Sequence, residues 1–116
     1  MDLKKLLNSF RYALEGIIYA FQEQNMRVHF ISACIVIIAG IITHISLVEW
    51  IIVIIVISLV FAAEMANTAI ERVVDLVSPD FHPLAKRAKD VAAGLVLVIA
   101  CMSVIIGLLI FLPKWL

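Results

Sequence analysis

Residues 50–75 read WIIVIIVISLVFAAEMANTAIERVVD. An apolar run broken only by Ser58 passes, without glycine or proline, into Glu64, Asn67, Glu71 and Asp75. With no breaker between the halves, one helix is predicted to run from near Trp50, an interfacial anchor, to about Val77. Ser78-Pro79-Asp80 stops it there, because proline has no N–H and the residue before it avoids helical angles. The first half has the length and composition of a membrane span. The second half is too polar to stay in oil without a reason.

Helical phasing supplies one. At about 100° per residue, Thr68, Glu71 and Asp75 fall within about 40° of Glu64, and Asn67 about 60° to one side. Ala62, Ala66 and Ala69 fall near the opposite face, at a small-residue spacing that lets another helix approach, so that face is expected to pack. The polar stripe is about 16 Å long, which puts Glu64 about two turns below the surface if Glu71 lies at it. A carboxylate at that depth costs at least about 2.5 kcal/mol and marks a functional position; Glu64 is a candidate general base. Plainer explanations exist for its neighbours: Glu71 and Asp75 could pair with Arg72 or Lys86, and Asn67 and Thr68 could bond between helices. Glu64 is harder to explain away, because no basic residue in any span is expected to partner it. A proton or ion pathway would account for it as well as catalysis does.

The rest of the chain fits a membrane protein. It is 65% hydrophobic and 16% charged, with mean hydropathy +1.15, where soluble domains are about 45–50% apolar. Residues 28–48, 50–70 and 91–112 are the expected spans of a single membrane domain covering 1–116. No linker, repeat or signal-cleavage pattern is evident. Residues 2–24 are different: Leu3, Leu6, Leu7, Phe10, Leu14, Ile17, Ile18 and Phe21 recur at helical spacing opposite Lys4, Lys5, Asn8, Arg11, Glu15 and Gln22. That pattern predicts an amphipathic helix on the membrane surface. Cys34 and Cys101 lie inside apolar stretches and are expected to be small core residues.

Net charge is zero, but its placement is lopsided. Lys4, Lys5, Arg11 and Arg27 precede the first span; Arg72, Lys86, Arg87 and Lys89 lie between the second and third. The link HISLVE (44–49) has no lysine or arginine, and only Lys114 follows the third span. The N-terminus and the second loop are therefore expected to be cytoplasmic. No nucleic-acid partner is expected. Carboxylates beside the basic cluster Lys86, Arg87 and Lys89 suit an Mg²⁺–nucleotide, the acids holding metal and a lysine meeting phosphate. No GxxxxGK[ST] or kinase-type glycine loop is present, so such a site is not a P-loop.

Glu64-Met-Ala-Asn67-Thr-Ala-Ile-Glu71-Arg-Val-Val-Asp75 resembles the signature of the prokaryotic diacylglycerol kinase family: E, two residues, N-[ST]-A-[IV]-E, two residues, V-D. Ala88-Lys89-Asp90 and the pair Glu23 and Arg27 are further matches, and the likeness covers nearly the whole chain. HPLAKRAKD and the opening YALEG…FQEQNMRVHF look most like the branch that phosphorylates undecaprenol. The resemblance implies a surface helix plus three transmembrane helices, a homotrimer with interfacial active sites, and a location in the bacterial cytoplasmic membrane. It implies transfer of the γ-phosphate of Mg-ATP to a long-chain lipid alcohol, undecaprenol first and diacylglycerol as the alternative. On that likeness Glu64 is the base and Asn67 orients groups beside it, while Glu23 and Glu71 hold Mg²⁺. Asp75 supports the metal and nucleotide, Lys89 and Asp90 meet the nucleotide, and Tyr12, Asp80 and His82 contact adenosine. One position departs: the diacylglycerol branch carries a further glutamate two places past the arginine, where this chain has His29.

Overall fold

The computed structural model describes residues 1–116 as four helices: α1 (Leu3–Ala20), α2 (Gln24–Thr43), α3 (Leu47–Val77) and α4 (Pro83–Trp115). The last three are long and apolar enough to cross a membrane, as expected from the sequence. The 31 residues of α3 extend about 46 Å, well past a hydrocarbon layer of about 30 Å. Its polar half can therefore emerge from the bilayer without a break in the helix.

Several boundaries differ from those expected. Residues 2–24 are not one helix: α1 stops at Ala20, and Glu23 is the extended residue that opens α2. The residue after the stop is held by tertiary packing. Phe21 lies against Phe30 and Phe61, with ring centroids 5.6 and 6.2 Å apart. The first span ends at Thr43 rather than 48, because His44 takes the left-handed conformation (φ 57). The N–H groups of His44 and Ile45 then turn back to the carbonyls of Ile41 (3.4 Å) and Gly40 (3.3 Å), a Schellman stop. α3 begins at Leu47, ahead of Trp50, on a capping box: Ser46 Oγ accepts from the Glu49 N–H (3.2 Å), and Glu49 Oε1 accepts from the Ser46 N–H (2.9 Å). α3 ends at Val77, and Pro83 occupies the first turn of α4 as predicted. α4 continues through Pro113 to Trp115 instead of ending at 112.

α3 packs most extensively on α4, then on α2, and least on α1. The apolar core sits at the end of the bundle far from Glu64, where Ile45, Val53, Ile110 and Phe111 are buried together. Two polar ties close that end: the Trp115 indole N–H donates to Thr43 Oγ1 (3.0 Å), and the Lys114 ammonium donates to Glu49 Oε2 (2.8 Å). The hydrogen bond from Lys114 is the main reason the Glu49 carboxyl is held below its ordinary range. Gly40 is required here, since a Cβ on it would lie 2.7 Å from Trp50 Cη2 and 3.1 Å from Ile45 Cδ1. Gly40→Ala is expected to push the indole out of place and lower stability by about 1–3 kcal/mol, read as a reduced thermal midpoint in detergent.

Only 12 of 116 residues are buried, and large apolar side chains cover the outside of every helix. The radius of gyration is 17.6 Å, against about 13 Å for a compact soluble chain of this size. This surface is suited to lipid or to further copies of the chain, not to water. The alanine face of α3 is part of it: Ala62 and Ala69 are exposed, while Ala63, Glu64, Asn67 and Thr68 are buried. Within one chain the polar stripe packs inward, while Ala62 and Ala69 meet no partner helix and Ala66 is half-buried. Both cysteines are free, and Cys101 is exposed rather than in the core.

Candidate active site

The polar stripe of α3 faces α2, the α1–α2 junction and the start of α4. At its deep end Glu64 is 2% exposed, and Asn67 and Thr68 are 5% exposed. Asn67 Nδ2–H donates to Glu71 Oε1 (2.9 Å), one turn along. Glu71 Oε2 lies 3.8 Å from the Arg72 guanidinium, which also pairs with Glu23 and donates through Nε to the Tyr19 hydroxyl (2.7 Å). Arg72 thus ties α1, the α1–α2 junction and α3 into one cluster. Further out Lys89 donates to Asp75 Oδ1 (2.7 Å), and Lys86 to Asp90 Oδ2 (2.6 Å). The bond to Asp75 chiefly holds the Lys89 ammonium above the ordinary lysine value, against a smaller loss from desolvation. Lys89 is a fixed positive charge.

Of the ordinary pairings considered for the acids, Glu71 does meet Arg72, but Asp75 takes Lys89 and leaves Lys86 to Asp90. The expectation that no span offers Glu64 a basic partner fails. His29, on α2, places Nε2 3.4 Å from Glu64 Oε2. Even so, Glu64 Oε2 and Asn67 Oδ1 are buried without a hydrogen bond. Buried acceptors in that condition are rare and costly, and often mark a site that a ligand completes.

Two cavities flank the stripe. One, of about 370 Å³, lies at the α3–α4 turn and is lined by Asp75, Asp80, His82, Lys86, Lys89 and Asp90. It gathers five residues expected from sequence to meet a nucleotide: Asp75, Asp80, His82, Lys89 and Asp90. Tyr12 is not among them; it is exposed on α1, beneath the Arg11 guanidinium. Glu23 and Glu71 lie outside this cavity, at the Arg72 cluster. The other cavity, about 420 Å³ and strongly apolar, is a groove among α2, α3 and α4. His29 stands on its wall next to Glu64, and Val53, Ile110 and Phe111 close its far end. A buried carboxylate, an apolar groove beside it and a polar cavity with a lysine form a site between oil and water.

The sequence matches the model of the prokaryotic diacylglycerol kinase family over residues 11–111. The chain belongs to this family. It is accordingly a membrane lipid kinase, an ATP-dependent phosphotransferase, and a channel or proton-translocating role is set aside. Among relatives of this prokaryotic diacylglycerol kinase family member, an undecaprenol kinase of Bacillus subtilis is 48% identical over 114 residues, 97% of this chain and 93% of the relative. A diacylglycerol kinase of Synechocystis is 44% identical over 110 residues, 93% of this chain but 63% of the relative. A diacylglycerol kinase of Haemophilus influenzae is 35% identical over 112 residues, 94% of this chain and 95% of the relative. Beyond the residues expected from sequence, the fold adds Arg72 and Tyr19 to the site and brings His29 to Glu64. Tyr19 carries no sequence signal, Arg72 is expected from sequence only as an ordinary partner for Glu71 or Asp75, and His29 is marked only as a departure from the diacylglycerol branch.

Proposed function

We propose that this kinase transfers the γ-phosphate of ATP to the hydroxyl of undecaprenol, giving undecaprenyl phosphate. The observation that carries this reading is the apolar groove running from His29 beside Glu64. Its walls include Ser32, Ala33, Ala100, Ser103 and Gly107, small residues that leave room for the methyl branches of a polyprenyl chain. A two-tailed diacylglycerol is the second reading, favoured by the names of the Synechocystis and Haemophilus influenzae relatives.

In this scheme Glu64 accepts the proton of the lipid hydroxyl. The hydroxyl oxygen bonds to the γ-phosphorus, and the bond from that phosphorus to the β,γ-bridging oxygen breaks. ADP leaves with the electron pair. Burial of Glu64 keeps water from competing as acceptor, and Asn67, held by Glu71, orients groups beside the base. Lys89 meets phosphate as a standing positive charge, with Asp75 and Asp90 fixing the two lysines of the outer cavity. Asp80, His82 and, from α1, Tyr12 serve the adenosine end.

Glu23 and Glu71 are the residues that would hold Mg²⁺. They fit it in one respect already, because both carboxylates converge on a single cation, the Arg72 guanidinium. Mg²⁺ in nucleotide sites commonly takes one or two carboxylates and completes its shell with phosphate oxygens and water. When bound, the ion neutralises phosphate charge.

The protein is further proposed to sit in the bacterial cytoplasmic membrane with its N-terminus inside, as lysine and arginine placement favours. α1 would lie in the headgroup layer, since its apolar side (Leu3, Leu7, Phe10, Leu14) is exposed in the single chain. A homotrimer would cover the exposed Ala62 and Ala69 of α3. The deciding assay gives purified protein Mg-ATP with undecaprenol or with diacylglycerol in separate micelles. At least about tenfold higher kcat/KM for undecaprenol is expected, the ratio that about 1.4 kcal/mol of differential transition-state binding produces. A preference for diacylglycerol overturns the assignment.

A further inference from the structure

His29 occupies a position that general-base chemistry at Glu64 leaves unexplained. Its side chain is 18% exposed, and that of Glu64 is 3% exposed. The 3.4 Å approach of Nε2 to Oε2 is the one basic side-chain contact that reaches Glu64, and no side chain hydrogen-bonds to that oxygen. On the other side of the imidazole lies the apolar groove, which His29 lines together with Val28, Ser32 and Val60. The residue therefore stands between the base and the place where a lipid head would enter. A half-buried imidazole in a largely apolar stretch, VHFISACIVI (28–37), is costly unless its polar edge is used.

We propose that His29 is a positioning residue for phosphoryl transfer. Its imidazole, 3.4 Å from Oε2, restrains the Glu64 carboxylate on that side, so that Oε1 is presented to the hydroxyl at the head of a chain lying in the groove. A base must be held within about 0.5 Å of its productive place, and no other side chain anchors this one. The hydroxyl proton passes to Glu64 Oε1 and leaves to water after product release. The inference rests on Glu64 being the base.

The test compares His29→Leu, which fills the space without a donor, with His29→Gln, whose Nε2 can reach Oε2. Both are assayed alone and in the Glu64→Gln background, in detergent-solubilised full-length protein with Mg-ATP and undecaprenol. His29→Leu is expected to lower kcat by about 30-fold, the scale of a slight misplacement of a reacting group, with KM for ATP unchanged. His29→Gln should recover most of that loss. The double variant Glu64→Gln/His29→Leu should be no slower than Glu64→Gln alone, because the histidine has nothing left to position. Normal kcat in His29→Leu, equal damage in His29→Gln, or multiplying losses in the double variant would each overturn the proposal. Should His29→Leu fail to fold, judged by its thermal midpoint, the His29→Gln rate and the double variant Glu64→Gln/His29→Gln decide in the same way. An active Glu64→Gln enzyme would instead remove the base assignment itself, an outcome separate from the others.

Discussion

Glu64→Gln is expected to slow phosphoryl transfer to lipid by at least about 100-fold, the lower end of what a positioned base contributes. Glutamine keeps the shape and can still face His29, but it cannot accept the hydroxyl proton. Nucleotide binding should survive, because the nucleotide's expected contacts lie at Asp75, Lys89 and Asp90, on the far side of Asn67 and Glu71. Stability should be unchanged or higher. Glu64 is 2% exposed and leaves an acceptor without a hydrogen bond, so the native residue is kept at a cost in stability that glutamine need not increase. Turnover with undecaprenol, equilibrium binding of ATP and the thermal midpoint in detergent check the three parts. Turnover near that of the wild type would mean that another group takes the proton. Loss of ATP binding would mean that Glu64 belongs to the nucleotide site.

A variant that is dead but more stable would also say something about how the stripe is built. Helical phasing from the sequence places Glu64, Asn67, Thr68, Glu71 and Asp75 on one face, and in the fold that face is coherent. What phasing cannot decide is which side of a two-faced membrane helix turns inward. Oil surrounds the protein, so the alanines have no hydrophobic reason to seek the interior, and Ala62 and Ala69 are left outside. Punctuation was read correctly where proline governs, at Pro79 after α3 and Pro83 at the start of α4, whereas the S-x-x-E at Ser46–Glu49, a local rule too, was passed over and the start of α3 was set near Trp50 instead. The end of α1 follows no local rule. At that end Phe21 packs on Phe30 and on Phe61, the latter forty residues away. The same holds for His29 against Glu64 and for Tyr19 and Glu23 around Arg72, pairs separated by 35 to 53 positions. Periodicity identifies which residues of one helix act together, whereas partners on other helices come only from the fold.

The groove makes the second large prediction, for it separates chain recognition from chemistry. Gly107 lines it, and a Cβ added there meets nothing within 4 Å. Gly107→Phe should therefore fold and place its ring in the groove, about 10 Å along α4 from Ala100. A tail in the bilayer is already in oil, so the groove gains little hydrophobic free energy by taking it up. What the groove gives is alignment of the hydroxyl on Glu64. Blocking it should accordingly lower kcat/KM for undecaprenol by about 100-fold through misplacement of the reacting oxygen. A short prenyl alcohol, whose tail ends before Gly107, should be phosphorylated at close to the wild-type rate. ATP binding should not change, since the polar cavity lies at the other end of α4. Equal loss on long and short alcohols would mean that the substitution damages the site rather than the groove. Full activity on undecaprenol would place the tail elsewhere, against the outer surface of α2 or α4, where bilayer lipid and substrate would share the same apolar side chains.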